Sequence, residues 1–118
     1  MADAHKNFAY ANVTNAVGTG GSTVTVTPGK GALFPAAPFN CTIWPVGSQP
    51  LSTNAEIVRV IVVNGDTFTL ATSPRAQEGS TTRTIVIGDQ IAATITAKSF
   101  TDSEAKPSMR LFNRANFI

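Results

Sequence analysis

A chain of 118 residues has room for one domain, and with 42% apolar residues it can bury a core of its own. Charged residues make up 14% of the chain and the net charge is +2, too weak a basic balance to imply a phosphate-binding surface, and the Lys and Arg residues are scattered apart from Lys106, Arg110 and Arg114, so nucleic acid is not an expected partner. Thr, Ser, Asn and Gly supply the polarity instead, and hydroxyls and amides cost less to cover at a contact than unpaired charges do.

Residues 1–21 read as an N-terminal arm. Phe8, Tyr10, Val13 and Val17 give it some apolar grip, and Gly18–Gly21 reads as a flexible joint. No secretory signal is expected at Met1–Lys6, and no run approaches the roughly 18 apolar residues that would span a bilayer, so a membrane is not an expected partner. Residues 22–100 read as the β-domain. Ser22–Thr27 alternates Thr with Val24 and Val26, which puts the valines on one face of a strand. Pro28–Gly31 is a turn, and Pro35 and Pro38 confine Ala32–Phe34 to an irregular or edge segment. Phe39–Trp44 is a strand with Phe39, Cys41 and Ile43 on one side. Cys41 is the only cysteine, so no internal disulfide is possible, and it reads as a small buried apolar group.

Pro45–Thr53 is a loop. Ala55–Val63 and Asp66–Ala71 form a hairpin about Asn64 and Gly65, the residue pair that best tolerates the positive φ of a type I′ turn. Val58, Val60 and Val62 share one face, and Ile57, Arg59, Ile61 and Val63 the other. Two largely apolar faces imply that both are covered, one by the core and one by a second sheet or a neighbouring subunit. Arg75–Ser80 is a loop, Arg83–Ile87 a strand, Gly88-Asp89 a tight turn, and Gln90–Phe100 the last strand. Short strands punctuated by turns about every ten residues give an all-β fold, a single small antiparallel β-sandwich or barrel with extended N- and C-terminal arms. The second arm, residues 101–118, carries Met109, Leu111, Phe112, Phe117 and Ile118 among Lys106, Arg110 and Arg114. Large apolar groups of that kind pack on their own domain or on a neighbour.

Chemistry is sparse. Acid–base and nucleophilic catalysis need at least two reactive groups held together, yet the one histidine is His5, in the first arm. Asp66 and Asp89 sit beside glycines, where turns favour Asp. Glu56 and Glu78 are the one carboxylate pair that a glycosidase-type site could use, but nothing in their surroundings promotes it. No zinc or calcium pattern is present and no cofactor is expected. The densest polar cluster, Ser73–Gly79, reads as a structural loop in which Arg75 pairs with Glu78, or with Glu56, and Gly79 supplies an unusual φ. Trp44 and Phe34, each next to a proline in an apolar stretch, read as core or interface anchors. A stacking platform for a sugar is the competing reading.

The strings Gly31–Asn40, Thr42–Pro45, Ala55–Val60, Arg75-Ala-Gln-Glu-Gly79 and Ile87–Gln90 resemble a small β-domain of tailed-bacteriophage structural proteins, seen in fibre-like and decoration-type proteins. The Arg-Ala-Gln-Glu-Gly string, between a hairpin and a Gly-Asp turn, is the most specific part, and the similarity spans roughly residues 20–102. It implies a virion component without catalytic residues, assembled in the host bacterial cytoplasm. Two departures are visible: fibre-type relatives continue beyond the position of Ile118, and Ser73-Pro74 lengthens the approach to Arg75.

Size and the two arms then point, by analogy, to a capsid decoration (cement) protein or head-fibre base. Such a protein would bind the major capsid protein or other virion proteins as a symmetric homo-oligomer, a trimer being favoured, with Phe8, Tyr10, Leu111, Phe112 and Phe117 as arm anchors. The alternatives are a tail, collar or fibre-adaptor protein, and a carbohydrate-binding module.

Overall fold

A computed structural model describes residues 5–93 of the chain. Six strands form one antiparallel sheet: β1 (Tyr10–Asn12), β2 (Thr23–Thr25), β3 (Phe39–Trp44), β4 (Glu56–Asn64), β5 (Thr67–Leu70) and β6 (Gln90–Ala92), in the order β1-β6-β3-β4-β5-β2. The sheet curls as a half-barrel. Its two terminal strands meet where Val13 bridges Val26, with the Thr14 N–H donating to the Thr25 carbonyl and the Thr27 N–H to that of Asn12. The all-β expectation holds, and the sheet takes the curled, barrel-like form. Among the described residues no helix is long and apolar enough to cross a membrane.

The inward positions are those that alternation picks out: Val24 and Val26, then Phe39, Cys41 and Ile43, then Val58 and Val60, all essentially inaccessible. Phe34 joins Phe39 and Phe68 at centroid distances of 6.1 and 4.8 Å, filling the interior with edge-on and stacked rings. Phe34 is thus a core residue.

Four expectations need correction. First, Ala9, Ala11, Val13 and Val17 are buried in the core, and Tyr10–Asn12 pairs with β6, so the segment from Ala9 to Val17 is packed into the domain and is not an arm beside it. Each backbone group paired there escapes the cost of an unsatisfied donor or acceptor. Second, Val62 does not share the face of Val58 and Val60. The pairing jumps from Val60↔Leu70 to Val62↔Thr69, and this β-bulge leaves Ile61 and Val62 both half-exposed. The outer side of β4 is therefore open at these two residues.

Third, the hairpin connection is Gly65-Asp66, because Asn64 itself pairs with Thr67. Gly65 alone has positive φ, 64°, the pattern of a turn with glycine first, as in type II′. The shift frees the Asp66 carboxylate to accept from the N–H groups of Gly29 and Gly31 at 3.1 and 2.9 Å, fixing the turn before the short 3-10 segment Lys30–Leu33. Fourth, Arg83–Ile87 forms no strand; Ile85 makes a single bridge with Val17.

The last strand is described from Gln90 to Ala92. The expected arm at 101–118, with Leu111, Phe112 and Phe117, lies outside the described residues.

Candidate functional site

Strand β4 enters the sheet at Glu56, in phase with Val58 and Val60, so its carboxylate points inward at one end of the core. Glu56 and Arg75 are both buried. A charge held there is strongly destabilising unless it is paired and hydrogen-bonded. Arg75 supplies the pair in a fork: Nε donates to Glu56 Oε2 and Nη2 to Oε1, each at 2.9 Å. The Arg83 backbone N–H adds a third donor to Glu56 Oε1, at 2.9 Å.

The remaining guanidinium hydrogens go to the chain. Nη1 donates to the carbonyls of Gly18 and Gly21, and Nη2 to that of Arg83. All five donors of the arginine are thereby used. One buried side chain joins β4, the Gly18–Gly21 turn and the 83 segment. The glycine stretch expected to be a flexible joint is instead a tied turn, with the Gly21 N–H also donating to the Gly18 carbonyl at 2.9 Å.

The rest of the Arg75–Ser80 loop completes the sheet where β5 ends. β5 leaves β4 after the Ala71 N–H donates to the Arg59 carbonyl, and the Gln77 N–H then donates to the Ile57 carbonyl at 2.7 Å. Ser80 Oγ accepts from the Ile57 N–H at 2.9 Å and donates to the Gln77 carbonyl at 2.7 Å. Between them the chain reverses through two left-handed residues, Glu78 (φ 55°) and Gly79 (φ 79°). Of the two partners open to Arg75, the structure selects Glu56. Glu78 lies instead with Asn40, whose Nδ2 donates to Glu78 Oε2 at 2.7 Å. Glu56 and Glu78 thus serve separate contacts, and Glu56 is inaccessible to solvent. Asp89 completes the lattice of internal charges. It pairs with Arg83 and accepts from the Val86 N–H at 3.0 Å.

Two of these residues carry a signal that motif reading passes over. Glu56 keeps the two-residue phase of Val58 and Val60, which marks it as inward-facing from the sequence alone. Asp89 reads as a simple turn residue, but its neighbour Arg83 lies only six positions away, near enough to close the turn on itself.

The outside of the molecule has the opposite character. Glu56, Arg75 and Asp89 are buried, Arg83 is paired, and Asp66 is committed to backbone N–H groups. Among the described residues, exposed positions are mostly Thr, Ser, Gly and Pro, together with the large apolar residues Phe8, Tyr10, Val46, Leu51, Ile61, Val62, Val86 and Ile87 and the two lysines Lys6 and Lys30. Of the expected arm anchors, Phe8 is 87% exposed. Tyr10 sits in β1 opposite Ala92, half-exposed, with its hydroxyl donating to Gln90 Oε1 at 2.9 Å. Trp44 is buried and its indole N–H donates to the Ser48 carbonyl at 3.0 Å, so it offers no open ring face. Among the described residues no cluster of His, Cys, Asp and Glu could hold a metal ion.

No protein-family model matches the chain, and no curated protein matches it.

Proposed function

We propose that this chain is a structural subunit of a bacteriophage particle: a capsid decoration or head-fibre-base protein that coats the capsid exterior as a symmetric oligomer, a trimer being favoured. The observation that carries this reading is the division of the described residues into an interior that consumes most of their charges and an exterior of hydroxyls, glycines and scattered large apolar groups on which Lys6 and Lys30 are the exposed charges. A contact between two such surfaces desolvates few charges, so apolar area covered at about 25 cal/mol per Å² is not cancelled by ion desolvation. Repetition over a lattice makes modest contacts strong together.

The sequence strings that resemble phage structural domains add support. The most specific of them, Arg75–Gly79, is the loop that locks β4 to two other segments. Phe8 and Tyr10 are the contact residues nearest to hand. Leu111, Phe112 and Phe117 complete the proposed set from the sequence. The major capsid protein is the proposed partner and the virion the proposed location. A glycan-binding reading would need an aromatic platform, which the buried Trp44 does not supply.

Electron microscopy of intact particles labelled with antibody to this chain tests the proposal. Regular label over the head is expected. Label confined to a few copies at the tail or collar would replace the decoration role with an adaptor role, and unlabelled particles would overturn both.

A further inference from the structure

We infer that Asn64 is a site of spontaneous chemical modification, converting to aspartate and isoaspartate through a cyclic imide formed with Gly65. This inference is independent of the assembly reading. The reaction begins when the Gly65 backbone nitrogen attacks the Asn64 side-chain carbonyl carbon. The new C–N bond forms, the N–H proton passes to solvent base, and ammonia leaves. Water then opens the five-membered imide at either carbonyl. One direction restores the normal backbone with an Asp side chain. The other leaves the backbone running through the former side-chain carbon.

Three features of the structure converge on this pair. The residue after the asparagine is glycine, which has no Cβ to block approach to its nitrogen, and nothing lies within 4 Å of where a Cβ would stand on Gly65. Both residues are exposed at the tip of the β4–β5 hairpin. Among the described residues, no hydrogen bond holds the Asn64 side chain, nor the Gly65 N–H outside the strand ladders. A two-residue connection at a strand end is also where local opening costs least, and that opening lets the side chain swing onto the nitrogen.

The other described asparagines differ in kind. Asn12, Asn15, Asn40 and Asn54 all hold hydrogen bonds through their side chains. They precede Val, Ala, Cys and Ala, each bearing a Cβ, and Asn7 precedes Phe8.

The consequence is local and specific. Conversion places a negative charge two residues from Asp66, whose carboxylate anchors the N–H groups of Gly29 and Gly31. The isoaspartate form also lengthens the backbone beside the Asn64↔Thr67 pair. Gly65 has no slack to absorb this on its other side: a Cβ on Gly31 would fall 2.0 Å from the Gly65 carbonyl oxygen. The tip and the turn it supports should therefore loosen together.

The test is peptide mapping by mass spectrometry of the folded, full chain after prolonged incubation at mildly alkaline pH, beside a urea-unfolded sample. The expected result is conversion at Asn64 ahead of every other asparagine, with both aspartate and isoaspartate forms and a new acidic species on ion exchange. Asn64→Gln, whose longer side chain closes a less favourable ring, should lose that species while keeping the wild-type circular dichroism spectrum. The inference is overturned if folded Asn64 keeps its amide over the period in which the unfolded chain loses it. Conversion centred on another asparagine, or an acidic species that survives in the Asn64→Gln chain, would overturn it equally.

Discussion

Replacing Arg75 removes five hydrogen bonds at once and leaves the Glu56 carboxylate buried without its counter-charge. Breaking a buried pair from one side costs about 3–5 kcal/mol, so Arg75→Met should lower the urea-unfolding free energy by that amount. Arg75→Lys should recover little, because an ammonium has three donors and cannot reproduce the fork. A loss below about 1 kcal/mol, the scale of an exposed ion pair, would show that the contact is not a keystone. Gly31 offers a second residue-scale test. A Cβ there meets the Gly65 carbonyl at 2.0 Å, whereas one at Gly20 meets nothing within 4 Å. Thermal unfolding should show Gly31→Ala destabilised by about 1–3 kcal/mol, as in overpacking, and Gly20→Ala close to wild type. That Arg75, Glu78 and Gly79 build a loop was legible from their density between two turn signals. Which carboxylate Arg75 takes was not, because the choice depends on β4 delivering Glu56 to the same place, a contact 19 positions away in sequence.

Strands β2 to β5 were legible because their apolar residues alternate and glycines or prolines bound them. The bulge at Ile61 left no mark, since Val60, Ile61, Val62 and Val63 are interchangeable by apolarity and only pairing with Thr69 and Leu70 decides which turn outward. Strand β1 was missed for a different reason. Its one inward residue, Ala11, and the buried residue before it, Ala9, are small, and the pairing of Val13 and Val17 comes from isolated bridges with no continuous ladder. The contrast between inward and outward positions gives a test at this scale. Phe68 packs against Phe34 and Phe39 and is fully buried, so Phe68→Ala should cost about 3–5 kcal/mol in equilibrium denaturation. Val62→Thr, past the bulge, should stay within about 0.5 kcal/mol of wild type. Equal losses at the two sites would mean that the register assigned to β4 and β5 is wrong.

At the scale of the whole described fold, the bridge between Val13 and Val26 joins the two ends of the curled sheet, which leaves side-chain surface and not an open backbone edge as the means of contact there. That surface presents Ile87, 69% exposed, beside Val86. If assembly uses such groups, Ile87→Asp should leave the stability of the single chain unchanged and weaken association between chains. The most direct measurement of the central claim is sedimentation velocity of the full-length wild-type chain over a wide concentration range. The account predicts a discrete species of three chains, or another small closed number, persisting on dilution. A single sedimenting species with the mass of one chain at every concentration would contradict it.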